Sequence, residues 1–221
     1  LRDTGGELVA LETYPRDRAK LFAAARRISA YEARLASARA ALRSGSAANK
    51  GNARLEPPPF QALLIAESGE LVRAFLPALQ QFGVDNSRVR FLGTGLWATD
   101  PGLANEQMLM GAWFASVPDG TFHQIEQRYA QRFGLRPSRL AALGYDGVLL
   151  AAAGLDRWRS GDDFPVAVLN TPEGFVGVDG ALRFRNAIAQ RAMEVQEIGN
   201  GRFRTVSSAP ARVGDPERPL N

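Results

Sequence analysis

The sequence of 221 residues contains no cysteine. That excludes disulfide frameworks, thiol redox chemistry and Cys-based metal sites. Histidine is almost missing as well: His123 stands alone, so a zinc site or a Ser–His–Asp triad would lack its other members. No apolar run approaches the roughly 18–20 residues that a membrane helix needs. A Walker loop, a G-x-S-x-G elbow and an H-E-x-x-H pair are all missing. The acids Glu67, Asp100, Asp119, Asp162 and Asp163 are scattered through loops and are not spaced as a general acid–base pair. The expectation is a binding module, not an enzyme, with no catalytic residue, no metal and no cofactor. No secretory leader is legible either. Leu1 is not a natural start residue, so an upstream segment is expected, which leaves room for a signal or lipid anchor.

What is present reads as an ordinary globular chain, 45% apolar and 23% charged. The net charge of +4 is dispersed. A nucleic-acid protein would gather its basic residues on one face with aromatics between them, so no nucleic-acid partner is expected. Residues 7–13 read as a short buried strand ended by Tyr14-Pro15. Asp17 caps a long helix over 18–43, on which Leu21, Ile28, Leu35 and Leu42 form a narrow apolar stripe needing a partner. Residues 44–59 read as a linker, 60–66 as a buried strand, 70–82 as a helix stopped by Gly83, and 88–92 as a further strand. That order predicts a parallel sheet whose strands near 8–13, 61–66 and 88–92 are neighbours emptying into one groove. Strand 108–117, a helix carrying Phe122, Ile125, Tyr129 and Phe133, helix 139–157, and strands 181–185 and 192–198 follow. The last residues, 207–221, read as a disordered tail.

Gly93-Thr94-Gly95-Leu96-Trp97-Ala98 formally matches G-x-G-x-x-[GA]. A dinucleotide site needs that loop to open directly into a helix, whereas Asp100-Pro101 suits a wandering loop. The alternative is that small residues let backbone amides face a crevice at the carboxyl end of the strand.

Several strings then resemble the type I periplasmic binding proteins of the leucine/isoleucine/valine-binding class. They are Phe60–Gly69, Val89–Trp97, Gly111–Ala115, Tyr129–Gly134, Leu143–Gly147 and, most specific, Gly174–Gly180 with Arg183-Phe184-Arg185. The long Ala/Arg helix after Tyr14-Pro15 resembles the penicillin-binding protein activators of alphaproteobacteria. The resemblance implies an α/β fold of Rossmann-like parallel sheets with flanking helices, bilobal and here partial. It spans roughly 7–206 and covers the second half of the family domain, with the first lobe expected before Leu1. Residues 1–106 would belong to the second lobe, and 107–206 would return to the first lobe and cross back.

By this resemblance the ligand cleft would be lined by Tyr14, Glu67, Ser68, Thr94, Gly95 and Trp97, with Trp97 as an apolar wall. Gly95 stands where amino-acid-binding members carry an acidic residue. The implied function is a periplasmic regulator of peptidoglycan synthesis, a lipoprotein contacting a penicillin-binding synthase in the cell envelope. The alternative is a solute-binding protein that delivers a small molecule to an ABC permease. A homodimer is the further expectation for the chain alone.

Overall fold

The computed structural model describes residues 5–15, 17–43, 55–155, 158–159 and 161–213. Of the expected linker 44–59 and tail 207–221, residues 44–54 and 214–221 lie outside the described residues. The chain divides into two compact units, Leu1–Phe114 with Glu197–Arg204, and Ala115–Gln196 with Thr205–Asn221.

In the first unit, α1 (Arg18–Ile28) and α2 (Tyr31–Arg43) replace the single long helix expected. Leu21, Ala24, Ala25 and Ile28 are buried at helical spacing. The chain then breaks at Ala30, whose φ is +50°. The interruption hands Arg34, not Leu35, to the interior, and Leu42 is exposed. Arg34 Nε donates to Glu56 O at 2.7 Å, and Nη1 donates to Ser29 O at 3.1 Å and Phe82 O at 2.8 Å. Burial lowers its pKa from the ordinary guanidinium value. Ser29 and Phe82 follow the last residues of α1 and α3 (Gly69–Gln81), so carbonyls at the negative ends of two helix dipoles take the place of a carboxylate partner.

The sheet has the order β1-β2-β3-β7-β8. Its first three members are β1 (Ala62–Ile65), β2 (Arg90–Gly93) and β3 (Trp113–Ser116), paired in parallel with Ile65 opposite Gly93 and Gly93 opposite Phe114. The last two are β7 (Glu194–Gly199) and β8 (Arg202–Ser207), so the tail expected from 207 begins inside a strand. Leu63, Ile65, Phe91 and Phe114 join the core with Val72, Phe75, Leu76 and Leu79 of α3. After α3, Val84 N donates to Leu79 O at 3.0 Å around Gly83, whose φ is +70°; this bond closes the helix as a Schellman turn.

Two expectations are corrected here. Strand 60–66 was expected to be buried throughout, yet it alternates, and Leu64 is 59% exposed. Residues 7–13 form no strand; Leu8, Val9 and Leu11 are exposed. Apolar alternation supplies a tendency to extend, but a strand exists only where a neighbour accepts its hydrogen bonds. Among the described residues, β1 pairs with β2 and with no other strand, so the three-strand groove reduces to two strand ends.

In the second unit, α4 (Gly120–Phe133) and α5 (Ala141–Gly154) accompany an antiparallel sheet of β4 (Phe175–Gly177), β5 (Gly180–Arg185) and β6 (Ile188–Arg191). Hydrophobic strings alone do not specify a two-residue turn, and both hairpins have one. At Asn186-Ala187 the φ angles are +52° and +61°, the left-handed pair of a type I′ turn. Ala tolerates that conformation poorly. Ala187→Gly is therefore expected to stabilise the second unit by about 1 kcal/mol, read as a raised urea midpoint.

A buried charge network fastens the other hairpin. Asp146 lies on α5 and is 2% exposed. Its Oδ1 accepts from Val178 N at 2.6 Å and its Oδ2 from Arg191 Nη1 at 3.1 Å. A Cβ on Gly177 would sit 2.4 Å from Asp146 Oδ1, so only glycine fits. Asp179 Oδ1 lies 2.9 Å from Arg139 Nη2, an ion pair short of hydrogen-bond geometry. Arg139 also pairs with Asp119 at 2.7 Å and lies over the Phe122 ring.

Burial pushes the Asp179 carboxyl above its ordinary pKa, against the pull of Arg139 and Arg191. A raised acid pKa means that the folded state holds the proton more tightly than the unfolded one. This contribution to stability is greatest below about pH 4 and declines as pH rises through the folded value. Asp179→Asn is expected to remove that decline, so the stability difference between wild type and variant should change with pH above about 4. Urea titrations across the acidic range read it.

Candidate ligand-binding site

The carboxyl ends of adjacent parallel strands are where open α/β sheets hold ligands. In the first unit these are the ends of β1 and β2. After Ile65 the chain runs through Ala66-Glu67-Ser68 into α3; after Gly93 it runs through Thr94 into a 3-10 turn over Gly95–Thr99. Tyr14 arrives from the segment before α1. Its hydroxyl donates to Glu67 Oε1 at 3.2 Å, and its ring stacks on Phe75 with centroids 5.9 Å apart. The phenol thus anchors that segment and orients the half-buried carboxylate.

Ser68 is the N-cap of α3, and its hydroxyl makes no capping bond. Thr94 precedes the 3-10 turn, and its Oγ1 is buried with no hydrogen-bond partner among the described residues. Five of the six residues expected at the cleft are therefore found at these two strand ends: Tyr14 and Glu67 in contact, Ser68 next to them in the chain, and Thr94 and Gly95 on the neighbouring strand.

Trp97 is the correction. It is fully buried, with its ring 6.1 Å from that of Phe114, so it lines the core and no open groove. It fits there because Gly93 has no side chain: a Cβ at that position would lie 2.2 Å from the indole. The apolar size of Trp97 was legible in the sequence, but the direction in which a 3-10 turn folds it back was not.

Sequence reasoning also missed Asp100. It accepts from Gly102 N at 3.0 Å, and its Oδ2 pairs with Arg73 at 2.7 Å. Its carboxylate fills the space where a Cβ on Gly69 would lie, 2.0 Å from Oδ2. Asp-Pro before a short turn was a capping signal. The Gly93–Gly95 loop leads into 3-10 turns, not the α-helix whose amino end a dinucleotide phosphate requires. His123 lies exposed on α4, with Nδ1 3.3 Å from Glu126 Oε2, and among the described residues no group of acids and histidine is placed to hold a metal.

The family model described as periplasmic binding protein matches residues 1–202. The chain belongs to the periplasmic binding protein family. Solved structures agree on the fold. An ABC transporter substrate-binding protein from Desulfitobacterium hafniense superposes with a TM-score of 0.52 at 18% identity, over 93% of this chain and 53% of its own. A branched-chain amino acid ABC transporter periplasmic ligand-binding protein from Burkholderia xenovorans gives 0.50 at 17% identity, over 66% of this chain and 43% of its own. LpoA of Haemophilus influenzae gives 0.46 at 18% identity, over 66% and 26%, too slight a likeness to argue from. The chain thus spans about half, or less, of the structures that it resembles. No curated protein matches it.

Proposed function

We propose that this chain is the ligand-recognising part of a periplasmic solute-binding protein that hands a small polar molecule to an ABC permease. The observation that carries this reading is the Tyr14–Glu67 hydrogen bond at the carboxyl end of β1. A carboxylate held by a phenol accepts hydrogen bonds from an ammonium or hydroxyl group of a ligand, and the Ser68 and Thr94 hydroxyls add both donors and acceptors. Gly95 contributes no side chain, so Glu67 takes the gripping role from the neighbouring strand. The role is binding, not catalysis.

A metabolite thermal-shift screen of the full-length protein tests it. One or more small amines or hydroxylated compounds should raise the melting temperature, since a ligand that binds the folded state stabilises it by mass action. Glu67→Gln should weaken that ligand about tenfold or more, the loss expected for a charge-assisted bond. A screen without a stabilising compound, or a variant that binds equally well, rules the reading out.

The second reading is an envelope regulator that contacts a penicillin-binding synthase and so faces a protein and not a solute. It draws on the absence of any acidic or aromatic side chain at Gly95 and on the burial of Trp97. A lipid anchor in the periplasm belongs to that reading. A pull-down with the full-length protein that recovers no synthase removes it.

A further inference from the structure

The turn between β7 and β8 is two residues long, Asn200-Gly201, and both residues are exposed. Their φ angles are +52° and +73°, the left-handed pair of a type I′ turn. The exposed turn Asn186-Ala187 between β5 and β6 has the same build, with +52° and +61°. The two tips differ in the residue that follows asparagine. Gly201 leaves its amide nitrogen open to approach, whereas the methyl group of Ala187 stands beside its own.

Among the described residues, no hydrogen bond engages the Asn200 side chain or the Gly201 amide. Asn86-Ser87 is the opposite case. Asn86 Nδ2 donates to the Gln107 and Met110 carbonyls at 3.0 and 3.3 Å, which fixes the side chain. Ser87 N donates to Asp85 Oδ1 at 2.9 Å. There the side-chain amide and the following nitrogen are both committed. At Asn200 both are free, and an exposed hairpin tip opens at little cost.

We propose that Asn200 is a self-modifying site, which loses ammonia through a cyclic imide and takes up water. The Gly201 nitrogen, having given its proton to hydroxide, attacks Asn200 Cγ. A C–N bond forms, the side-chain amide departs as ammonia, and a five-membered succinimide closes. Ring closure needs the Asn200 backbone to rotate out of the turn, and Gly201 follows that rotation because it has no Cβ. Water then adds to one imide carbonyl. Breaking the new bond to Cγ leaves aspartate. Breaking the original peptide bond leaves isoaspartate, in which the main chain runs through the side chain. No oxidant or cofactor takes part. The isoaspartyl linkage adds one atom to a two-residue loop, which a type I′ turn does not absorb. The disturbance falls on Ile198, whose N and O are bonded to Ala112 O at 2.9 Å and Gly111 N at 2.8 Å, and on Phe203, whose ring meets that of Phe114 edge-on at 5.0 Å. Modification thus loosens this hairpin as the molecule ages.

Incubation of the full-length protein at mildly alkaline and mildly acidic pH, followed by tryptic mapping with mass spectrometry, tests the proposal. The peptide Ala192–Arg202 should gain the mass of an amide-to-acid exchange and separate into aspartyl and isoaspartyl forms. The gain should be faster at the alkaline pH, because the attacking nitrogen must lose its proton. The peptides carrying Asn86 and Asn186 should change at least about tenfold more slowly. Gly201→Ala places there the residue that Ala187 shows this turn position accepts. It should slow the gain at Asn200 about tenfold, a barrier rise of about 1.4 kcal/mol. Ala187→Gly should bring Asn186 up to the rate of Asn200. An Asn200 peptide that stays unchanged, that changes no faster than those of Asn86 and Asn186, or that keeps its rate in G201A overturns the site, and so does an Asn186 peptide unmoved in A187G.

Discussion

Replacing Arg34 by methionine should lower the stability of the first unit by about 3 kcal/mol. The methionine stem keeps most of the packed volume but leaves the carbonyls of Ser29, Glu56 and Phe82 without their donor. Each carbonyl was desolvated for that bond, so the loss exceeds the net worth of ordinary surface hydrogen bonds. Arg34→Lys should lose about half as much, because one ammonium cannot reach three carbonyls with the spread of a guanidinium. Urea denaturation followed through Trp97, buried in the core of this unit, reads both. A methionine variant within about 0.5 kcal/mol of wild type, the range of ordinary surface changes, would show that the guanidinium is solvated and not structural.

The second large effect is expected at Asp146. Its removal as Asp146→Ala leaves Arg191 partly buried with only the looser 3.9 Å contact to Asp179 and Val178 N without its acceptor, a loss of about 3 kcal/mol in the second unit. Asp146→Asn keeps an acceptor for Val178 N and should lose only about 1–2 kcal/mol. Arg191→Met combined with Asp146→Ala should recover part of the loss, since no orphan charge remains. Trp158, whose Nε1 donates to Asp162 O at 2.7 Å, gives a fluorescence signal from the same unit. Equal losses for the alanine and asparagine variants would contradict an ion-pair role for Asp146.

Both residues show where sequence reading stops. Arg34 looked like one of many arginines on an exposed rod, because nothing local announces that Ala30 breaks the helix and turns the next one. Asp146 did carry a signal, an acid inside the apolar run Leu143–Leu150, and such an acid is seldom buried unless paired. Its partners lie 32 and 45 residues away, beyond any periodicity. By contrast, α3 was fully legible: the spacing of Val72, Phe75, Leu76 and Leu79 and the stop at Gly83 are local properties. The core strands were legible as apolar strings, but their faces were not. Leu64 and Trp113 are apolar and still exposed, 59% and 39%, on a parallel sheet of a kind usually covered on both sides.

At the candidate site, the chain order of Glu67, Ser68, Thr94 and Gly95 after strands was enough to place them at strand ends. The contact between Tyr14 and Glu67 spans 53 residues and emerges only once α1 and α3 pack. Trp97 was misplaced because side-chain direction in a 3-10 turn depends on the space that Gly93 leaves open.

The central claim, that the ends of β1 and β2 recognise a small polar ligand through Glu67, is tested most directly by amide NMR. Spectra of the full-length protein would be recorded with the proteinogenic amino acids, putrescine and ethanolamine as probes. The account expects at least one probe to shift the amides of Glu67, Ser68, Thr94 and Gly95 together, and Glu67→Gln to abolish those shifts while the remaining spectrum stays unchanged. Shifts confined to other parts of the chain, or undiminished in the variant, would contradict it.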